Sequence, residues 1–250
     1  MNYSEASRRK RGKRKKKNYF RNIAITALVI LGLYFIGFHS GVFSVKEISI
    51  EGNRHYTDGQ VIELSGLIKG ENIFKVRVSD VKQRLELDPY IRGAEVRWAL
   101  PDGIDIEIDE RMESVLIEYE DGYAILDYDG VILRLTKERL IMPVIVGLTP
   151  IDPRPGKALR AEEAGQLKPG LDFIKYVGEQ DFYIKVLDLG TVVPRAHVFD
   201  RLIIEGELKD MTKNIREIKR IIASLDAQGV ERGTISVGSD SCSFSPEMRV

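Results

Sequence analysis

Three histidines, one cysteine and several closely spaced carboxylates are the residues of this 250-residue chain whose types could support catalysis or metal binding. His39, His55 and His197 lie far apart, and none falls in a His-x-x-x-His or similar ligand spacing. They read as an interfacial residue and two turn or surface residues. Cys242 with His197 would make a nucleophile and base, but Ser241-Cys242-Ser243 fits no nucleophile context, and a small buried hydrophobe is the expected role. A single cysteine also excludes an intramolecular disulfide framework and a Cys-based zinc site. Asp127 with Asp129, and Asp105 with Glu107, have a spacing suited to acid–base work or cation binding. They fall in turns or on the polar side of an alternating strand, where solvated charge is expected. Glycine-rich phosphate loops are absent. The residues therefore predict a binding protein, not an enzyme, with no cofactor and no metal.

Charge is the stronger signal. The chain is formally neutral, yet residues 1–21 hold Arg8, Arg9, Lys10, Arg11, Lys13, Arg14, Lys15, Lys16, Lys17 and Arg21 against Glu5 alone. That segment carries +9 and the remainder −9. Dense Lys/Arg also suits nucleic acid, but here it immediately precedes the uncharged run from Asn22, whose apolar block Ile23–Phe38 is long enough to span a hydrocarbon core. Basic residues in that position hold their end of a helix in the cytoplasm, so a topogenic role is predicted, without specific nucleic-acid recognition. The block exceeds a signal peptide's apolar region, and Phe38-His39-Ser40-Gly41-Val42 offers no small-x-small cleavage site. The expectation is a basic cytoplasmic tail over 1–21, an uncleaved transmembrane helix over 22–42, and everything beyond about Ser40 outside the cell membrane.

From Phe43 the alternation of Ile48 and Ile50 with polar neighbours predicts a strand. Thr57 and Gln60 form a capping-box signature for a short helix that Gly66 ends. Ser79 is the expected N-cap of a second helix burying Val81, Leu85 and Leu87 before Pro89. Two strands follow, with Ala94, Val96 and Trp98 inward on one and Ile104, Ile106 and Ile108 on the other, joined at Pro101-Asp102-Gly103. Strand, helix, helix, strand, strand is the order of a POTRA domain, assigned to 43–111. The residues Phe43-x-Val45-x-x-Ile48-x-Ile50-x-Gly52-Asn53, Asn72-Ile73-Phe74, Leu85-x-x-x-Pro89-x-Ile91-x-x-Ala94-x-Val96, Pro101 and Glu110-Arg111 resemble the FtsQ/DivIB family of bacterial cell-division proteins. That family usually has proline two residues after the Glu-Arg pair. Here the position is Glu113, so the following segment is expected to bend differently.

Residues 112–250 are assigned to a β domain. Val115–Tyr119, Tyr123–Leu126 and Val131–Leu133, separated by Asp121-Gly122 and Asp129-Gly130, predict a meander of short strands. Leu126-Asp127-x-x-Gly130-Val131 and Met142-Pro143-x-x-x-Gly147 resemble the same family. Residues 150–170 predict a long connection with a helical piece, followed by a helix over Leu171–Val177 and strands at Tyr183–Leu189 and Arg201–Glu205. Leu208, Met211, Ile215, Ile218, Ile222 and Leu225 predict one helix of about five turns. Strands at Gly233–Gly238 and Ser241–Ser245 close the chain, with Pro246 suited to an edge.

The predicted class is α+β: a single N-terminal transmembrane helix, a POTRA domain (β-α-α-β-β), then a mixed β domain with a C-terminal helix and strands. The resemblance implies a non-enzymatic scaffold of the divisome, located at the division septum and binding FtsB/DivIC-like and FtsL-like proteins. It also implies that a partner strand adds at the last strand of the β domain. The matching positions are Ser241, Cys242, Ser243, Phe244, Ser245 and Pro246, with Phe244 the candidate apolar anchor or, equally, a core aromatic. Rival readings are a POTRA-bearing envelope assembly factor and a cell-wall-binding module.

Overall fold

A computed structural model describes residues 19, 21–32, 34, 35, 37, 41–120, 122–199, 202–230, 232–239 and 241–247. Residues 21–32 are helical and exposed, Arg21 among them. Among the described residues no helix is long and apolar enough to cross a membrane. Arg8 to Lys17 of the basic tail, and residues 33, 36 and 38–40 of the expected span, lie outside the described residues, as do Asp121 and Arg201 of the expected turn and strand. From residue 41 the chain follows an α+β order. It divides into two compact units, 1–85 with 93–108, and 86–92 with 109–250.

In the first unit β1 (Glu47–Glu51), β2 (Ile91–Ala99) and β3 (Gly103–Glu110) form a sheet in the order β1-β3-β2. β1 runs parallel to β3 with Ile48 opposite Ile104 and Ile50 opposite Ile106, which puts the apolar positions of both strands on one face. Helix α1 (Asp58–Ser65) starts with the expected capping box: the Gln60 amide donates to Thr57 Oγ1 and the Thr57 amide to Gln60 Oε1. Arg84 of α2 (Val78–Leu85) donates to the Ser65 carbonyl at 3.1 Å, satisfying one of the acceptors a helix leaves free at its end. Three expectations change here. α2 starts before Ser79, with the Asp80 and Val81 amides bonded to the Arg77 carbonyl, so Ser79 is not the cap. Leu87 is 76% exposed, because α2 has ended two residues earlier. Trp98 shares the parity of Ala94 and Val96 but lies near the end of β2 and is 45% exposed.

In the second unit β4 (Val115–Tyr119), β5 (Gly122–Leu126), β6 (Ile132–Thr136), β7 (Val144–Val146), β8 (Val186–Asp188), β9 (Arg195–Val198), β10 (Leu202–Gly206), β11 (Gly233–Val237) and β12 (Cys242–Pro246) make one sheet. Its order is β12-β11-β10-β9-β8-β7-β4-β5-β6. β7 and β9 carry only three and four residues and leave no alternation long enough to read, which is why the sequence does not announce them.

Helix α3 (Ala164–Glu179) runs through Pro169 instead of starting after it. Pro169 is exposed, so the lost backbone bond faces water, while Leu167, Leu171, Phe173, Ile174 and Val177 are buried in the core of this unit. That burial, at about 1.5–3 kcal/mol for each large side chain, outweighs the roughly 3 kcal/mol cost of an interior proline. The expected five-turn helix divides at Asn214 into α4 (Leu208–Lys213) and α5 (Ile215–Ala227). The Asn214 side chain donates both to the Asp210 carbonyl and to the Gly238 carbonyl, each at 3.1 Å.

Candidate functional site

The expected binding strand is β12, and the fold places it at one end of the nine-stranded sheet. It pairs antiparallel with β11, with Ile235 opposite Phe244 and Val237 opposite Cys242. Among the described residues nothing pairs with its outer edge. At the opposite end the start of β6 is covered: Val131 bridges Ala158, Ile132 donates to the Lys157 carbonyl, and Gly156 donates back to the Ile132 carbonyl. The β6 edge is thus joined by residues 156–159 where the strand begins, whereas no such pairing is made along β12 among the described residues.

Register decides which groups the open edge offers. The Gly238 amide donates to the Ser241 carbonyl at 2.9 Å, so 238 and 241 form a hydrogen-bonded pair. Antiparallel ladders alternate such pairs. Ser243 and Ser245 therefore bond inward to β11, while the backbone groups of Cys242 and Phe244, with the Pro246 carbonyl, point outward. Side chains alternate too: Ser243 and Ser245 are exposed, and Cys242 and Phe244 are half-buried against the core. The Phe244 ring lies across Gly233, where a Cβ would meet it at 2.5 Å. Only glycine at position 233 leaves room for the aromatic side chain that pins β12 to the sheet. The hairpin tip is fixed as well, since Lys213 Nζ donates to the Ser239 carbonyl at 2.8 Å beside the Asn214 bond to Gly238.

A second constellation, expected from the sequence to be solvated charge, is built around a buried carboxylate. Asp127 is 1% exposed. Its Oδ1 accepts from the Asp129 and Val131 amides at 3.0 and 2.8 Å, and its Oδ2 from Arg111 Nη1 at 2.6 Å. Arg111 also reaches Asp129 at 3.4 Å, and Arg92 reaches Asp129 at 3.2 Å. Nearby in sequence, Glu113 accepts from the Tyr90 hydroxyl at 2.6 Å and from Arg134 Nε at 2.7 Å. Glu113 is therefore the acceptor of a three-residue network. Leu126-Asp127-x-x-Gly130 supplied the available signal for the first cluster: an aspartate beginning a tight turn closes it through its own carboxylate.

Burial, and then the Glu113 carboxylate, push the Tyr90 phenol up from its ordinary 10 to about 12. Because the folded value lies above the unfolded one, this contribution to stability is complete below pH 10 and is lost as pH rises from 10 to 12. A titration of stability over that window should show an extra fall in the native chain that Tyr90→Phe lacks.

The residues considered for chemistry are kept apart or engaged elsewhere. His197 is on β9 and Cys242 on β12, three strand positions away, or about 14 Å at ordinary strand spacing, too far for a nucleophile and its base. Burial, and then the charge of Glu217, push the Cys242 thiol up, opposite to what a reactive thiolate needs. Glu107 is held by Arg97 at 3.0 Å, and Asp105 sits exposed on the same strand. Among the described residues no group of three or more His, Cys, Asp or Glu is placed to hold a metal ion.

Comparison with known proteins bears on this arrangement. Residues 43–111 match the family model described as a POTRA domain of FtsQ type. The chain is 38% identical over 95 residues to a cell division protein DivIB of Clostridium acetobutylicum, covering 38% of each chain. It is 35% identical over 131 residues to a cell division protein FtsQ of Syntrophotalea carbinolica, covering 50% of this chain and 46% of the relative. A longer match, 24% identical over 206 residues, covers 78% of this chain and 67% of a cell division protein FtsQ of Anaeromyxobacter sp.. The first two matches span less than half of those relatives' lengths. Residues 43–111 are thus a POTRA domain of FtsQ type, and the chain is similar to cell-division proteins named under both FtsQ and DivIB.

Proposed function

We propose that this chain is a non-enzymatic scaffold of the division machinery, anchored in the cell membrane by residues 22–42 with its amino terminus in the cytoplasm. Its POTRA domain (43–111) and β domain (112–250) then lie outside, at the division septum. Its partners are FtsB/DivIC-like and FtsL-like single-pass proteins, and the first of these adds a strand to the outer edge of β12. The observation that supports this most is that the outer edge of β12 is unpaired along Cys242–Pro246 among the described residues, whereas residues 156–159 join the start of β6 at the other end of the sheet. An open edge supplies main-chain hydrogen bonds for a partner strand, and the pinned Phe244 holds that edge ready for it.

The discriminating variant follows from register. A proline at Ser243 would break the ladder to β11, whereas Cys242→Pro removes an outward amide. Cys242→Pro in the full chain should weaken binding of an FtsB-type segment about 10-fold, roughly the loss of one edge hydrogen bond. Ser243→Glu with Ser245→Glu, both at exposed positions, should weaken it less. A folded Cys242→Pro chain that binds normally would remove β12 as the site. The cellular counterpart is the position of a fluorescently tagged chain, expected at midcell. Uniform membrane signal throughout growth would count against a septal role.

A further inference from the structure

At the end of the first unit where β1 begins, apolar side chains gather that are half-buried or exposed. The Gly70 amide donates to the Val45 carbonyl, the Val45 amide to the Glu71 carbonyl, and the Lys46 amide to the Asp102 carbonyl, each at 2.8 Å. These bonds bring the loop after α1 and the β2–β3 turn to either side of the start of β1. There the Phe74 ring lies 5.1 Å from Phe43 and 6.1 Å from Trp98 between ring centroids. Around this row, Val42, Ile68 and Leu100 are 52%, 68% and 59% exposed. Isolated apolar residues on a surface need no explanation, but an aromatic row flanked by exposed aliphatics does.

The same loop touches the segment that precedes the fold. Asn72 Oδ1 accepts from the Phe74 amide at 3.0 Å, and its Nδ2 donates to the Gly37 carbonyl at 2.8 Å. Gly37 is helical, as are residues 21–32, where Ile25, Leu28 and Leu31 are exposed. The apolar surface of the helical segment therefore continues, through one side-chain contact, into the Phe43–Phe74–Trp98 row.

We infer that this end of the POTRA domain is a membrane-seated collar: Phe74, Trp98, Ile68 and Leu100 enter the interfacial zone of the bilayer in which the preceding helix is anchored. The inference rests on reading residues 22–42 as that anchor. Tryptophan and phenylalanine beside short aliphatics suit the zone between headgroups and acyl chains, where an indole keeps its N–H wet while its ring is buried. Lys69 and Lys75 flank Phe74 on the same loop and are exposed, with stems long enough to lie along the collar and ammonium groups at headgroup level. A second copy or a neighbouring protein is the competing occupant. The lipid is favoured by continuity, since the collar joins directly onto the one segment of the chain apolar enough to be read as a span.

Trp98 is the only tryptophan, so its emission reports on the collar alone. The full chain is reconstituted in phosphatidylcholine and phosphatidylglycerol vesicles, with or without phosphatidylcholine brominated near the top of its acyl chains. Seating predicts a loss of about half the Trp98 emission in brominated vesicles and slow quenching by acrylamide, as for a ring held at the interface. Ile68→Asp with Leu100→Asp, at exposed positions, should restore emission and acrylamide access. Unchanged emission with bromine overturns the inference. So does emission shielded from acrylamide but untouched by bromine, the signature of a protein occupant. Flotation after carbonate washing reads the anchor separately. A chain that floats without bromine quenching keeps the anchor and loses the collar, and one that fails to float yet is quenched keeps the collar and loses the anchor.

Discussion

Arg111→Ala is expected to lower the stability of the second unit by about 3–5 kcal/mol, the usual cost of removing one member of a buried ion pair. The reason lies in how Asp127 divides its two oxygens. Oδ1 is occupied by the Asp129 and Val131 amides and shapes the turn, while Oδ2 faces Arg111 at 2.6 Å. Truncating Arg111 leaves a carboxylate with almost no access to water. Arg92, 3.8 Å from Oδ2 and largely engaged with Asp129 at 3.2 Å, is poorly placed to replace it. The companion experiment removes the charge and keeps the turn. Adding Asp127→Asn to Arg111→Ala retains an oxygen for the two amides and leaves no uncompensated charge, so the double variant should recover part of the loss in urea denaturation. If the single and double variants unfold alike, the guanidinium matters only through packing.

How much of this was legible in the sequence varies with how local the governing interaction is. The capping box at Thr57 and Gln60 needs four consecutive residues, and it forms as read. The alternation of Ile104, Ile106 and Ile108 fixes a buried face that any partner strand must respect, and all three are buried. Pro169 misleads because its local penalty is overridden by five buried side chains of α3, a term that exists only after folding. The division of α4 from α5 has the same origin: Asn214 gives up helical continuity for a bond to Gly238, 24 residues away. Asp127 is the clearest case. Its neighbours in sequence suggest a solvated turn, and its burial depends on Arg111, 16 residues earlier and reached only through the folded sheet.

The binding edge was partly legible for the same reason. That β12 is the last strand follows from order along the chain. That its outer edge is unpaired, while residues 156–159 join the start of β6 at the other end, depends on pairings made only in the folded sheet. Phe244 stood equally well as partner anchor or core aromatic from its type alone. The register places its ring over Gly233 and its backbone on the open side, so both features act at once through different atoms.

Gly147→Ala is the second large effect, and it tests how the sheet holds that edge in place. Gly147 has φ +81°, and a Cβ there would lie 2.0 Å from the Gly190 nitrogen and 2.4 Å from its Cα, both backbone atoms that no rotamer change can move. The left-handed conformation costs an alanine about 1–2 kcal/mol, and relieving the clash adds about 1–3 kcal/mol, for a total on the order of 2–5 kcal/mol. Gly229→Ala is the control. It shares a positive φ of +68° but meets nothing within 4 Å, so it should lose only the conformational part. The difference between the two midpoints in urea isolates the close approach of the 147 and 190 backbones. That approach follows directly on β7 and β8, which pair over only Val144–Val186, Ile145–Leu187 and Val146–Asp188. Because this short seam joins β4–β7 to β8–β12, forcing it apart should weaken the strands that carry the open edge before it weakens the meander. Amide exchange in Gly147→Ala is therefore expected to accelerate more in β8–β11 than in β4–β6. Uniform acceleration across the sheet would instead mean that the seam is no weaker than the rest.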